Sequence, residues 1–137
     1  MAIHDLNHLF AGYGTDLAGE AEISAWELAS GGCARFTAAW ALDLAGLLTG
    51  LVAFPRRTWR AFQAGRSDQN LYRYDVAELS ALPVIEVEKR VHGAPVRRLP
   101  APLHLAGLLV LAAPVLLAFG LMGAVTTPWW YVVHHRR

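Results

Sequence analysis

Two apolar blocks constrain this chain more than anything else in it. The first, residues 36–54, reads FTAAWALDLAGLLTGLVAF, and the second, residues 103–125, reads LHLAGLLVLAAPVLLAFGLMGAV. About 20 apolar residues are enough to cross a bilayer as a helix. The second block carries no charge, and its large apolar residues each favour insertion by roughly 0.3–0.6 kcal/mol. It predicts a transmembrane helix, kinked at Pro114 where a backbone donor is missing. The first block holds one acid, Asp43. A central aspartate costs about 2.5–3.5 kcal/mol, close to what its apolar neighbours contribute. This block reads as a marginal span that needs a companion helix. A buried helix in a water-surrounded core is the competing reading.

The flanks favour the membrane. Arg56, Arg57, Trp59 and Arg60 follow the first block, and Trp129, Trp130 and Tyr131 follow the second. Aromatic and basic residues of this kind mark membrane interfaces, and the basic ones also attract anionic lipids. Basic residues run from Arg56 to Arg98 between the blocks, with only Arg35 before them and Arg136 and Arg137 after. The positive-inside rule then places the middle in the cytoplasm and both termini outside. The expected fold is a mainly α membrane protein, a two-helix transmembrane hairpin of a bacterial inner membrane. Its parts are a polar arm with a short helix (1–35), spans at 36–54 and 103–125, a basic cytoplasmic segment (55–102) and an aromatic, basic tail (126–137). Within the middle segment VIEVEKRVHGAPVRRL alternates apolar and charged residues, which predicts a short β-hairpin turning at HGAP.

Asp43 shares a helical face with small residues. Ala39, Asp43, Gly46 and Gly50 are spaced four, three and four, which stacks them on one side. Gly46 and Gly50 form a GxxxG pair that lets backbones approach. Ala106, Ala113 and Gly120 make a second small-residue seam. These seven positions are the expected helix-packing or partner contacts. The second block offers no donor opposite Asp43. The acid is therefore expected to be protonated, to meet another subunit, or to line a proton path.

The remaining chemistry is sparse. Net charge is +1 and there is one cysteine, Cys33, so nothing argues for nucleic-acid binding, and neither an intrachain disulfide nor a cysteine metal cage is possible. The start of the chain has no basic region followed by an apolar one, so it does not read as a cleaved secretory leader. In HDLNHLF, His4 and His8 lie at i,i+4, but the local pattern lacks a third ligand and a catalytic glutamate. It predicts an ordinary polar helix face. AEISAWELAS predicts a short helix stopped by Gly31 and Gly32. His104, His134 and His135 are not placed to pair across a haem. No GxSxG, P-loop, HExxH, GxGxxG or CxxC occurs. No cofactor or metal and no enzymatic activity are expected. The expected function is a non-catalytic membrane subunit that scaffolds a larger complex of the secretion, conjugation, respiratory or photosynthetic kind. Its expected partners are other membrane-protein subunits and anionic lipids. The alternatives are a proton-coupled transport or energy-converting subunit using Asp43, and a self-associating small membrane protein.

Overall fold

The computed structural model describes residues 2–92, 99–114 and 117. Helix α1 spans Ala2–Ala11 and α2 spans Leu17–Ala29. Asp16 caps α2 by accepting the Gly19 amide at 2.7 Å, as N-cap aspartates do. The helix ends where Gly31 and Gly32 take φ of 137° and 71°, a region open to glycine at little cost. The chain then turns into α3, Thr37–Ala53. Pro55 opens α4, Pro55–Gly65, in the position where its missing N–H costs nothing. A 3₁₀ turn at Leu71–Arg73, α5 at Val76–Ser80 and α6 at Val84–Val91 follow. A further helix, α7, covers 101–114.

Helix α2 lies at the centre. Its buried residues run from Ala18 to Ala29, interrupted only at Glu20 and Glu22. On one side Ile23 and Trp26 pack with Ile3, Cys33, Leu71, Tyr72, Val87 and Val91. On the other, Ala25, Leu28 and Ala29 pack with Leu44, Leu47, Phe62, Leu108 and Ala112. Helices α3 and α4 approach α2 closely through glycine. A Cβ on Gly50 would lie 2.9 Å from the Ala21 side chain, and one on Gly46 would strike Ser24. A Cβ on Gly65 would lie 2.9 Å from the Trp26 Cα.

This architecture corrects the expected one. No helix among the described residues is long and apolar enough to cross a membrane. The transmembrane hairpin, the multi-pass inner-membrane placement and its inside–outside topology are therefore not supported. The first block forms α3, 17 residues long, and buries Asp43, Leu44, Leu47 and Gly50 within the protein. Its apolar side is answered by α2 and α4, where the span reading needed lipid. The second block contributes α7, which buries Leu108 and Ala112 in the same core; residues 118–125 lie outside those described. The expected strand at 84–91 is helix α6. Val87 and Val91, four apart, face the core, and Lys89 pairs with Glu86 at 2.8 Å across i,i+3. The HGAP turn and the returning strand fall almost wholly on 93–98, outside the described residues.

Candidate metal centre

His4 and His8 are one turn apart on α1, so their rings share a face. The ring centroids are 4.6 Å apart with planes at 89°. The two Nε2 atoms face each other at 3.1 Å. Glu20, in the first turn of α2, brings its carboxylate to the same point. One oxygen is 3.4 Å from His4 Nε2 and the other 3.4 Å from His8 Nε2.

The outer nitrogens of both rings are committed. His4 Nδ1 lies 3.1 and 3.2 Å from the Glu27 carboxylate oxygens. His8 Nδ1 lies 3.2 Å from the Tyr13 carbonyl oxygen. Carboxylates and carbonyls only accept, so each Nδ1 must donate. That assigns the tautomer and turns both Nε2 atoms inward. Two neutral Nε2 lone pairs at 3.1 Å repel unless one positive charge sits between them. A proton is one solution: His4 as imidazolium donates to His8. The His4 pKa is accordingly pushed up to about 9, chiefly by its hydrogen bond to Glu27, against the opposing effect of burial. A metal ion is the other solution. Ligand bonds of about 2.0–2.1 Å in a tetrahedral site separate ligand atoms by about 3.3 Å, close to the spacings here. The His8 side chain is 8% exposed, His4 24% and Glu20 47%. An ion would therefore be reached past Glu20 and would keep a position open to water.

Beneath the histidines lies a buried polar cluster. Glu27, wholly buried, accepts from Asn7 Nδ2 at 2.7 Å and from the Tyr72 hydroxyl at 3.4 Å. Asn7 Oδ1 in turn accepts the Leu71 amide at 3.1 Å. Asn70 Nδ2 donates to the backbone carbonyls of Glu27 and Gly32 at 2.9 and 2.8 Å. Asp43 accepts the Cys33 thiol at 2.9 Å and is hydrogen-bonded to Glu27. Burial first, and the Glu27 charge second, push its pKa up to about 9. It is therefore protonated at neutral pH and donates to Glu27. Burial, with Asp43 adding to it, pushes the Cys33 thiol far up, so it is no thiolate ligand. Burial and the Glu27 charge likewise push Tyr72 up, which keeps its hydroxyl a donor.

The sequence-derived positions divide among these places. Asp43 finds its partners, Cys33 and Glu27, in its own chain, which corrects the expectation that the chain holds none. Gly46 and Gly50 face α2, and Ala39 is partly buried against the core. Ala106 and Ala113 are exposed on α7. Arg56 and Arg60 are exposed on α4. Arg57 makes a two-pronged pair with Glu22 at 2.9 and 2.6 Å, and Trp59 stacks on Phe62 at 5.7 Å. Gly120, Trp129, Trp130 and Tyr131 lie outside the described residues. Glu20, Glu27, Asn7 and Tyr72 were not anticipated. Their one legible signal is the acid pair Glu20 and Glu27, seven residues apart on the helix after the two histidines. No family model, curated protein or solved structure matches this chain.

Proposed function

We propose that this protein is a helical metal-binding module. His4, His8 and Glu20 are the protein ligands of a divalent ion of the zinc class. One observation carries the reading: two inward Nε2 atoms and a carboxylate converge while both outer nitrogens are tied to oxygen acceptors. Histidine-to-carboxylate and histidine-to-carbonyl bonds of this kind orient metal ligands and raise their basicity. Two imidazoles and one carboxylate suit zinc, copper(II), nickel or iron(II) better than calcium or magnesium. Zinc titration by calorimetry on the wild type and on His8→Ala tests it. The variant should keep its helical circular dichroism and lose affinity by about 100-fold or more, since even outer partners are worth 10–100-fold. Equal binding by both proteins, or none by the wild type, would refute the assignment.

One further observation favours the non-catalytic subunit as a second reading. The outer faces of α3 and α7 expose Leu42, Val52, Leu103, Val110 and Leu111, and none of the exposed residues described on these two helices is charged. Large exposed apolar patches mark association sites. The expected result is a mass in solution above that of one chain, measured by light scattering. A monomer at all concentrations would count against the subunit reading.

A further inference from the structure

We infer that the metal latches α1, a lid over the core that holds the protein's single thiol. This rests on the metal reading above and adds to it a consequence of ion binding.

Helix α1 is 10 residues long, shorter than a helix that persists alone in water. Its buried residues are Ile3, Asn7 and His8, and Leu6, Phe10 and Ala11 pack partly buried against the same core. Leu9 is 71% exposed. Polar bonds hold α1 down as well: Asn7 to Glu27, the Leu71 amide to Asn7, and His4 to Glu27. The link to α2 runs through Gly12, at φ 75° with open space where a Cβ would lie, a backbone position suited to a hinge. The proposed ligands straddle that link. His4 and His8 belong to α1 and Glu20 belongs to α2. An ion bound by all three exists only with α1 seated. Linkage then requires that binding stabilise the seated state by the same factor by which seating raises affinity.

The covered surface matters because of Cys33. It is 0% exposed and shares one apolar cluster with Ile3, Ile23, Trp26 and Tyr72. Lifting α1 removes Ile3 from that cluster. It also breaks the bonds from His4 and Asn7 to Glu27, the neighbour of the acid that holds the thiol. The ion thus controls how often the thiol meets solvent.

Two rates test this in the full chain: N-ethylmaleimide labelling of Cys33, and amide exchange within α1. Each is measured with EDTA and with zinc, on wild type and on His8→Ala. At zinc 100 times its Kd, both wild-type rates should fall by about 100-fold if they proceed through the open lid. His8→Ala should label and exchange at one rate with or without zinc, which separates latching from direct capture of the thiol by the metal. If calorimetry shows zinc bound and either wild-type rate is unchanged, the latch is wrong and the metal centre stands. If zinc does not bind at all, both fall together.

Discussion

Replacing Glu27 with alanine is expected to destabilise the protein by about 3–5 kcal/mol, the usual cost of breaking a buried charge network from one side. Glu27 is wholly buried and gathers donors from three places: His4 and Asn7 on α1, Tyr72 in the 3₁₀ turn, and Asp43 on α3. Alanine removes the carboxylate to which His4 Nδ1 donates and leaves several donors without an acceptor. Glu27→Gln should cost less, because an amide oxygen still accepts from Asn7 and Tyr72. A pH signature accompanies the loss. In EDTA the wild type should lose stability as pH rises from about 6.5 to about 9. His4 holds its proton up to about 9 when folded and 6.5 when unfolded, so its contribution is full below 6.5 and gone above 9. Asp43 holds its proton up to about 9 against 3.8, so its protonated form also favours the folded state less as pH climbs. Both slopes have the same sign in that window. Glu27→Ala removes the leading cause of the His4 shift and the second cause of the Asp43 shift, so its profile should flatten. Urea unfolding across the pH range measures both effects. A variant within 1 kcal/mol of wild type, at roughly the scale of an ordinary surface change, would mean that the cluster is not held by this carboxylate.

Some of this was readable beforehand, and the unread part has a physical cause. Asp43 stands out as the only acid in an apolar block, and the sequence marks it as needing a protonated state, a partner in another subunit or a proton path. Its partners cannot be read locally. Cys33 lies ten residues away and Glu27 lies on α2, brought near only when α2 and α3 pack. The same limit applies to the metal centre. His4 and His8 are visible as an i,i+4 pair, but Glu20 sits on another helix beyond a turn at Gly12 and Gly14. A search for a third ligand inside one helix misses it. Block 36–54 was misread for a different reason. Apolar content is the same whether a helix faces lipid or its own protein, and periodicity does not separate the two when small residues line the packing side. What decides is the rest of the chain: α2 offers Ala21 and Ser24 where α3 offers Gly46 and Gly50. In VIEVEKRV, alternation over four residues fits a strand, but Val84, Val87 and Val91 also fit a helix. Glutamate, lysine and arginine favour the helix, and the core takes Val87 and Val91.

Gly65→Ala is expected to cost about 2 kcal/mol and to weaken zinc binding without touching a ligand. The added Cβ would lie 2.9 Å from the Trp26 Cα and 3.0 Å from its carbonyl carbon. Those atoms are helix backbone and cannot rotate aside as a side chain would. Helix α4 must move off α2, or α2 must shift. Overpacking of this sort costs about 1–3 kcal/mol, and sometimes more, while alanine returns up to about 1 kcal/mol of helix propensity. The strain falls one residue before Glu27, the group that orients His4 through Nδ1. A shift of α2 therefore moves the carboxylates of Glu27 and Glu20 relative to α1 together. The expected reading is a lower urea midpoint, near-native far-UV circular dichroism and a zinc affinity reduced by a few-fold to about 10-fold, the lower end of what outer partners contribute. Gly107→Ala is the control, since no atom lies within 4 Å of its added Cβ. If Gly65→Ala were as stable as wild type, α2 and α4 would not meet backbone to backbone, and the central position of α2, on which both the core and the metal centre depend, would be wrong.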